Sequence, residues 1–343
     1  MTIYFLRLED TPFGGAEVYL QRVCELLRQQ GIDFVVMHST APKFLASWIK
    51  AIWFNIESYF KKRNKTYFSL SRVTCADIYR AGDGVHRAYM RAVGAHFWSN
   101  PLHFTACYLE KHVFNNAKKI IANSHMVKQD IMDYYGIDGN KIVVIHNGIA
   151  PAKAINEWQA KKTLCTQLDL PEDKPIILFV GSGFKRKGAD IFLKIVAQLK
   201  QDFSAIIVGK EKKIGKYQAY ADDLGLTKKL RFVGQRRDLP MFYMASDILL
   251  FPSRYEPFSN VVLEAMSFNN VVFTSSRNGA HEVLDPHYVI HGEDDVEVAA
   301  KIDKLLENPE QMAQAKQRNL KIIDSYTIEE SVSQILAVMC MPP

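Results

Sequence analysis

The sequence lacks the features that mark several specialised classes of protein. Its five cysteines are scattered along 343 residues without the paired spacing of a metal site or a disulfide framework, which fits a reducing compartment. No apolar run approaches the roughly 20 residues of a membrane-spanning helix. The first residues show no charged-then-apolar secretory pattern. We therefore expect a soluble, cytoplasmic globular protein.

A net positive charge is also missing from one half of the chain. The formal net charge is +6, yet residues 151–343 contain 25 Lys and Arg against 25 Asp and Glu. Residues 1–150 contain 18 against 12 and so carry the whole excess. We expect the first half to face a negatively charged partner.

Alternation of strand-like and helical runs predicts an α/β chain with parallel sheets. The length favours two domains, so we expect two tandem Rossmann-like, doubly wound domains that face each other across a ligand-binding cleft. Strands are predicted at 3–6, 34–38, 76–80, 119–122 and 142–145, and again at 176–180, 205–208, 230–233, 248–251 and 271–274.

Three segments follow from this pattern. The first domain is predicted at 1–150 and the second at 165–325, joined by a polar, weakly patterned hinge that begins at the turn His146-Asn147-Gly148. The last segment, 326–343, is predicted to contain a helix that can return to the first domain, although the sequence does not show which domain the helix contacts.

Glu256 and Glu264 stand on either side of a predicted helix start. Ser259 is the expected N-cap, which leaves the amides of Asn260 and Val261 among the unpaired donors of the first turn. Such donors favour a phosphate group. A carboxylate in the second turn suits a sugar diol because it only accepts hydrogen bonds.

Two glycine-containing loops each open a helix after a strand. The run Gly181-Ser-Gly-Phe-Lys-Arg-Lys-Gly188 places Arg186 and Lys187 at a helix mouth, where cations suit a diphosphate. A solvated basic turn is the alternative for this run alone. Near the start of the chain, Gly14 and Gly15 permit a backbone amide to approach a ligand, although glycine pairs are common in loops.

A third loop combines an acid, a histidine and two arginines around glycines, in Arg80-Ala-Gly-Asp-Gly-Val-His-Arg87. An imidazole exchanges protons near neutral pH. Most histidines are structural, but this context makes His86 and Asp83 the catalytic candidates.

In combination these motifs resemble a retaining glycosyltransferase of family 4 with the GT-B fold, from Gly14 to about Tyr326. The matching residues are Gly14-Gly15-Ala16-Glu17, Ala122-Asn123-Ser124, His146-Asn147-Gly148, Gly181 with Arg186-Lys187-Gly188, Asp238-Leu239, Ala245-Ser246-Asp247, Pro252-Ser253, Glu256-Pro257-Phe258, Leu263-Glu264-Ala265-Met266 and Glu282-Val283. The short first domain and the motifs around Phe13 and Phe184 look most similar to lipopolysaccharide core glucosyltransferases.

The resemblance implies roles for these residues. Arg186 and Lys187 would hold the donor diphosphate and Glu264 the ribose. Glu256 would contact the sugar near the reacting centre and is therefore a third catalytic candidate. The backbone from Phe258 to Val261, including Ser259 and Asn260, would bind phosphate and sugar hydroxyls. His86 or Asp83 would line the donor sugar from the first domain.

The resemblance also implies a metal-independent reaction without a cofactor. Fixed cations stabilise the charge that grows on the leaving diphosphate, and the chain contains no Asp-x-Asp pair of the kind that metal-dependent sugar transferases use. We therefore expect a UDP-sugar donor and no metal ligands.

Residues 44–65 contain aromatic and aliphatic side chains at helical spacing, followed by Lys61, Lys62, Arg63 and Lys65. This pattern is typical of a helix that lies on an anionic membrane, and equally of a helix that covers a sheet with large aromatics.

Together these observations predict an enzyme of the bacterial cell envelope, peripheral on the inner face of the cytoplasmic membrane. It would transfer a hexose, glucose by the resemblance, to an anionic, lipid-linked saccharide such as the lipopolysaccharide core. A capsular, glycoprotein or soluble acceptor is a second hypothesis, and a catalytically silent sugar-nucleotide binder a third. No nucleic-acid-binding module supports a role with DNA or RNA.

Overall fold

The computed structural model describes residues 2–9, 15–150, 152 and 156–340. The chain divides into two compact units. Unit 1 comprises Met1–Gly148 and Ile328–Pro343, and unit 2 comprises Ile149–Thr327. None of the helices in the described ranges has the length and apolar character needed to cross a membrane.

Unit 1 is built on a parallel six-stranded sheet with strand order β2-β1-β3-β4-β5-β6. Its elements before the boundary are β1 (Ile3–Leu6), α1 (Gly15–Gln29), β2 (Phe34–Met37), α2 (Ser47–Lys61), β3 (Thr66–Ser69), β4 (Ile78–Ala81), α3 (His86–Val93), α4 (Pro101–Asn116), β5 (Lys119–Ala122), α5 (His125–Tyr135) and β6 (Ile142–Val144).

Unit 2 repeats this architecture with strand order β12-β11-β10-β7-β8-β9, again all parallel. Its elements are α6 (Glu157–Leu168), β7 (Ile176–Val180), α7 (Phe184–Lys187), α8 (Ala189–Val196), β8 (Ser204–Val208), α9 (Ile214–Asp223), β9 (Leu230–Gly234), α10 (Leu239–Ala245), β10 (Ile248–Phe251), α11 (Asn260–Ser267), β11 (Val271–Ser275), β12 (Val289–Ile290), α12 (Glu297–Glu307) and α13 (Pro309–Ile323).

Both sheets follow the order expected of doubly wound domains, in which strands are added on either side of the first. The central strands of unit 2 are buried along their whole length, as in β7 and β8, because helices cover both faces of a parallel sheet. The prediction of two α/β domains with parallel sheets is confirmed.

The last helix, α14 (Ile328–Cys340), belongs to unit 1. Val332 and Ile335 are each only 1% exposed and join the cluster that contains Phe5 and Leu27. The chain therefore completes the core of unit 1 after it has formed unit 2.

Local predictions differ from the structure at three elements. Strand β3 was missed, because its four residues include Thr66 and Ser69 and give no long apolar run. Strand β12 was missed because it has only two residues. The stretch predicted as a hinge contains α6, so unit 2 begins before residue 165. Helix α6 buries Ala160, Leu164 and Cys165, and its small or isolated apolar residues make the helical period hard to detect.

Candidate functional site

The glycine-rich loop of unit 2 follows β7 and depends on close backbone approach. Gly188 has a φ of +76°, and a Cβ there would lie 1.9 Å from the carbonyl oxygen of Pro252. Gly209 has a φ of +153°, and its Cβ would lie 2.0 Å from the carbonyl oxygen of Gly181. Only glycine satisfies both constraints. These contacts bring the loops after β7, β8 and β10 together at the carboxyl edge of the sheet.

Arg186 and Lys187 meet Glu256 at this edge. The Arg186 guanidinium and the Lys187 ammonium both donate to the same carboxylate oxygen of Glu256. Arg186 also donates to the Tyr255 carbonyl at 3.3 Å, and the Lys187 ammonium lies 5.0 Å from the centre of the Phe251 ring. Two cations share one carboxylate, so the three side chains keep one net positive charge.

Burial and charge act in opposite senses on this cluster. The side chains of Lys187 and Glu256 are 12% and 13% exposed. Burial lowers the pKa of Lys187, and the neighbouring Arg186 lowers it further, while Glu256 opposes the shift. Burial opposes ionisation of Glu256, but the charges of Lys187 and Arg186 outweigh it and lower the pKa of this carboxyl. The carboxylate is therefore ionised.

Asn278 holds the Glu256 loop in place. The Glu256 amide donates to the carbonyl of Arg277, and the Gly279 amide donates to the carbonyl of Glu256, both at 2.9 Å. The buried Asn278 side chain accepts from the Ser259 amide at 3.2 Å and donates to the Thr274 hydroxyl at 2.9 Å. Sequence reasoning missed Asn278, because only its contacts with a distant loop distinguish it from other asparagines.

Helix α11 begins where the sequence predicts. Ser259 occupies the N-cap position, but its side chain makes no capping hydrogen bond. Its backbone amide donates to Asn278 instead, so the loop contact replaces the capping role expected of the hydroxyl. Asn260 and Val261 are the first two residues of the helix, where N–H groups have no intrahelical acceptor. Phe258 is only 5% exposed and packs in the core of unit 2.

Glu264 is held by a buried tyrosine. The Tyr243 hydroxyl donates to one carboxylate oxygen of Glu264 at 3.0 Å, and the Tyr243 ring stacks on Phe268 at 5.8 Å. Burial, reinforced by the charge of Glu264, raises the pKa of Tyr243. Tyr243 therefore stays a hydrogen-bond donor and orients the carboxylate. Nothing in the local sequence around either residue indicates this contact.

In unit 1, the candidate His86 is the first residue of α3. Its backbone amide donates to the Glu110 carboxylate, at 2.9 Å from either oxygen, and its Nε2 shares a hydrogen bond of 2.9 Å with His103 Nδ1. Burial lowers the pKa of His86 to about 3, helped by the nearby charges of Arg72 and His103. The imidazole is thus neutral across the physiological range.

Asp83 lies in the loop between β4 and α3, three residues before His86. Its carboxylate lies 3.8 Å from Arg72 Nη1, and Arg72 Nε donates to Glu110 at 2.7 Å. Glu110 is fully buried and also accepts from the Tyr135 hydroxyl at 2.8 Å. The structure therefore gathers Asp83 and His86 around an Arg72–Glu110 pair. Sequence reasoning missed this pair, since an acid within α4 looks like a surface residue.

The structure describes two of the three remaining glycine candidates. Gly15 is the first residue of α1, whereas Gly14 lies outside the described residues. Gly181 follows β7, and its amide donates to the Val208 carbonyl at 2.8 Å. The cluster of unit 2 thus gathers Gly181, Arg186, Lys187, Glu256 and the start of α11, with Glu264 one turn further along that helix.

Comparison with known proteins identifies the two parts of the chain. Residues 67–153 match the family described as Glycosyltransferase Family 4, and residues 161–321 match Glycosyl transferases group 1. An uncharacterized glycosyltransferase of Methanocaldococcus jannaschii is 30% identical over 48% of this chain and 44% of its own length. The chain spans about half the length of the first curated relatives it matches.

One relative matches over most of its length. The lipopolysaccharide glucosyltransferase WaaG of Escherichia coli K12 is 23% identical over 83% of each chain. A crystal structure of WaaG superimposes with a TM-score of 0.81 over 99% of this chain and 100% of that one, at 18% identity. Anabaena HepE in complex with UDP and glucose gives a TM-score of 0.73 over 99% of both chains, at 19% identity. The predicted GT-B fold is confirmed, and residues 67–153 and 161–321 are glycosyltransferase domains of the family 4 and group 1 type.

Proposed function

We propose that the protein is a retaining hexosyltransferase that moves glucose from UDP-glucose to a lipopolysaccharide core or a similar lipid-anchored saccharide. The observation that carries the proposal is the sharing of Glu256 by Arg186 and Lys187 at the start of a phosphate-suited helix. The similarity to the lipopolysaccharide glucosyltransferase WaaG supports the acceptor class, and the similarity to HepE in complex with UDP-glucose supports the donor.

The donor would bind to unit 2. Its diphosphate would lie against Arg186, Lys187 and the first amides of α11, and its ribose hydroxyls would donate to Glu264. As the bond from sugar to phosphate breaks, the net positive charge of the cluster stabilises the leaving UDP more than the bound donor. Glu256 keeps both cations extended before the donor arrives and accepts hydrogen bonds from hydroxyl groups of the transferred sugar.

The candidate residues of unit 1 would act on the sugar. A neutral His86 can accept or donate one hydrogen bond without a charge change near neutral pH. Asp83, half exposed and beside Arg72, is an acceptor for sugar hydroxyls. In a retaining reaction the acceptor hydroxyl attacks from the leaving-group side, and a donor phosphate oxygen takes its proton.

The proposal includes no metal ion or cofactor, because Arg186 and Lys187 would supply the positive charge that a metal supplies elsewhere. Turnover should therefore persist in an excess of EDTA. A requirement for added Mg²⁺ or Mn²⁺ would contradict the proposal that the reaction needs no metal ion.

The test is incubation with a panel of UDP-, GDP- and ADP-sugars, following slow hydrolysis and the anomer released. We expect hydrolysis of UDP-glucose with retention of the anomeric configuration. Lys187→Ala and Glu256→Ala should abolish it, whereas Lys185→Ala, an exposed cation of the same run, should not. UDP binding without any turnover would favour a silent sugar-nucleotide binder instead.

We further propose that α2 places the enzyme on the cytoplasmic face of the inner membrane. Phe54 and Ser58 face the core, but Trp53, Tyr59 and Phe60 are 46%, 66% and 76% exposed. The helix thus covers the sheet and also presents an aromatic face. Lys61 and Lys62 pair with Glu57 at 2.6 Å and Asp77 at 3.1 Å, so apolar contact contributes more than charge.

Vesicle sedimentation tests this location. Tyr59→Ser combined with Phe60→Ser should lower binding to phosphatidylglycerol vesicles by about tenfold, roughly 1.4 kcal/mol. Trp158→Ser, which removes an aromatic of unit 2 that is 64% exposed, is the matched control and should bind normally. Equal binding by all three proteins would contradict the proposal. Activity on detergent-free, soluble acceptors would favour the capsular, glycoprotein or small-molecule alternatives.

A further inference from the structure

Helix α7 carries Arg186 and Lys187 but is too short to hold itself in place. It consists of four residues, and isolated helices of that length are unstable in water. The Phe184 carbonyl accepts from the amide of Gly188, just beyond the helix. The carbonyls of Lys185 and Arg186 lie in the same last turn and need donors from outside the helix. The orientation of α7 therefore depends on the residue that supplies those donors.

Arg254 supplies both donors. Its backbone amide donates to the Arg186 carbonyl at 2.9 Å, and its Nη1 donates to the Lys185 carbonyl at 2.7 Å. Arg254 lies in the loop after β10, two residues before Glu256. One short segment thus holds the backbone of α7 through Arg254, and the side chains of Arg186 and Lys187 through Glu256.

Two carboxylates hold the Arg254 guanidinium in this position. Asp190, in the first turn of α8, accepts hydrogen bonds of 2.8 Å from both Nη1 and Nη2. Glu293, which precedes α12, accepts from Nε at 2.8 Å and from Nη2 at 2.6 Å. Paired bonds of this kind fix the plane of a guanidinium group, and the Arg254 side chain is only 12% exposed. Its orientation is therefore set before any ligand binds.

The same contacts exclude Arg254 as a further phosphate ligand. A guanidinium has five N–H donors, and the five hydrogen bonds to Lys185, Asp190 and Glu293 use all of them. Its positive charge also lies between two carboxylates, so the three charged side chains carry one net negative charge, which repels a diphosphate. Arg254 consequently acts on a diphosphate only through α7.

We propose that Arg254 is a positioning residue of the donor site, which holds α7 in the orientation in which Arg186 and Lys187 bind the diphosphate. The inference rests on the proposed function, in which these two side chains hold that group. Preformed contacts lower the entropic cost of binding and keep the cations aligned with the charge that grows on the leaving group.

The role of Arg254 should be confined to the diphosphate end of the donor. Its hydrogen bonds go to α7, α8 and the connection before α12. Glu264 on α11, the residue proposed to bind the ribose, is held by Tyr243 instead. Loss of the Arg254 contacts should therefore weaken binding of the diphosphate and leave binding of the nucleoside intact.

Arg254→Lys tests this role, because lysine keeps the positive charge but cannot reproduce the five bonds of the guanidinium. Arg254→Met is a second variant that keeps a long side chain and removes every donor. Isothermal titration measures the affinity for UDP, and ligand-observed NMR measures the affinity for uridine, which lacks the diphosphate.

Arg231→Lys is the matched control. The Arg231 guanidinium donates to the carbonyls of Leu168 at 2.9 Å and Asp169 at 2.8 Å, so it also joins two elements of unit 2. Arg231 lies near the amino end of β9, whereas the proposed donor site is at the carboxyl edge of the same sheet.

We expect Arg254→Lys to weaken UDP binding by about tenfold and Arg254→Met to weaken it further, while neither changes the affinity for uridine. Arg231→Lys should change neither affinity. UDP binding by Arg254→Lys as tight as that of the unaltered protein would overturn the inference, because charge alone would then suffice. An equal loss of uridine and UDP binding, or an equal loss of UDP binding in Arg231→Lys, would also overturn it, since Arg254 would then only support the fold of unit 2.

Failure of the proposed function has a different sign in this experiment. If the unaltered protein bound UDP no more tightly than uridine, the proposed diphosphate site itself would be contradicted, because that comparison involves no variant.

Discussion

Gly188 shows how strongly the proposed donor site depends on one backbone position. Gly183 and Gly188 flank α7 and share a φ of +76°. A Cβ on Gly183 meets nothing within 4 Å, whereas a Cβ on Gly188 would meet the Pro252 carbonyl. The two glycines therefore separate the cost of a left-handed backbone from the cost of a steric clash.

Gly188→Ala should lower UDP affinity by about tenfold or more, because the loop after β7 must move away from Pro252 and carry Arg186 and Lys187 with it. Gly183→Ala should cost about 1–2 kcal/mol of stability through its backbone conformation and leave UDP affinity nearly unchanged. Isothermal titration with UDP measures both variants. Equal affinities would show that the close approach at Gly188 is not needed for binding.

His86 makes the stability of unit 1 depend on pH. Its pKa is about 3 in the folded protein against an ordinary value of 6.5. As the pH falls from about 6.5 towards 3, the unfolded chain takes up a proton that the folded chain does not, so stability declines. At pH values well above 6.5 neither state is protonated, and the full contribution is present.

His86→Gln should therefore reduce the loss of stability between pH 7 and pH 5, as measured by urea unfolding at both values. The exposed His96→Gln is the control and should keep the pH dependence of the unaltered protein. An identical loss in His86→Gln would mean that other groups cause the acid sensitivity.

At the scale of single residues, the sequence predicted the functional side chains that lie within short motifs. It did not predict those whose hydrogen-bond partners are distant along the chain. Arg186, Lys187 and Glu256 follow strands and stand near glycines or a helix start, so local spacing identified them. Glu110 and Asn278 have no such local sign. Their roles come from hydrogen bonds to His86 and Ser259, residues 24 and 19 positions away along the chain.

At the scale of the elements, α14 has the clearest structural role. It is the helix by which the chain returns to unit 1, and its buried residues Ile328, Val332, Ile335 and Val338 repeat at helical spacing. This amphipathic pattern made the helix predictable from the sequence. The same pattern does not predict which sheet the helix covers, because an apolar stripe on a helix does not specify the surface it packs against.

Ile335→Ala should destabilise unit 1 by about 2–5 kcal/mol, the usual cost of a cavity at a fully buried isoleucine. Ile56→Ala on α2, which is 50% exposed, should cost about 0.5 kcal/mol or less. Three of the four tryptophans lie in unit 1, at positions 48, 53 and 98, so tryptophan fluorescence during urea unfolding reports mainly on this unit. A cost below 1 kcal/mol for Ile335→Ala would mean that α14 contributes little to the core.

For the whole molecule, composition and periodicity predicted two parallel α/β domains because both sheets consist of short apolar strands between longer helices. The boundary between the two units was less predictable from the sequence. Helix α6 belongs to unit 2 through a few small buried side chains, while unit 1 draws its last helix from the far end of the chain. Each unit consequently has its own core and its own candidate groups.

This division predicts that UDP protects the two units unequally against hydrogen exchange. At about 100 times the Kd, a ligand that binds only folded unit 2 stabilises it by about 2.7 kcal/mol, which slows exchange through its unfolding by about 100-fold. We expect that slowing in β7 and β8, and little change in β1 and β5, when exchange is followed by mass spectrometry. In Lys187→Ala the same UDP concentration should protect neither unit, since a cation that we propose to hold the diphosphate is gone. Equal protection of β5 and β7 in the unaltered protein would show that the two units unfold as one cooperative body, and that UDP stabilises them together.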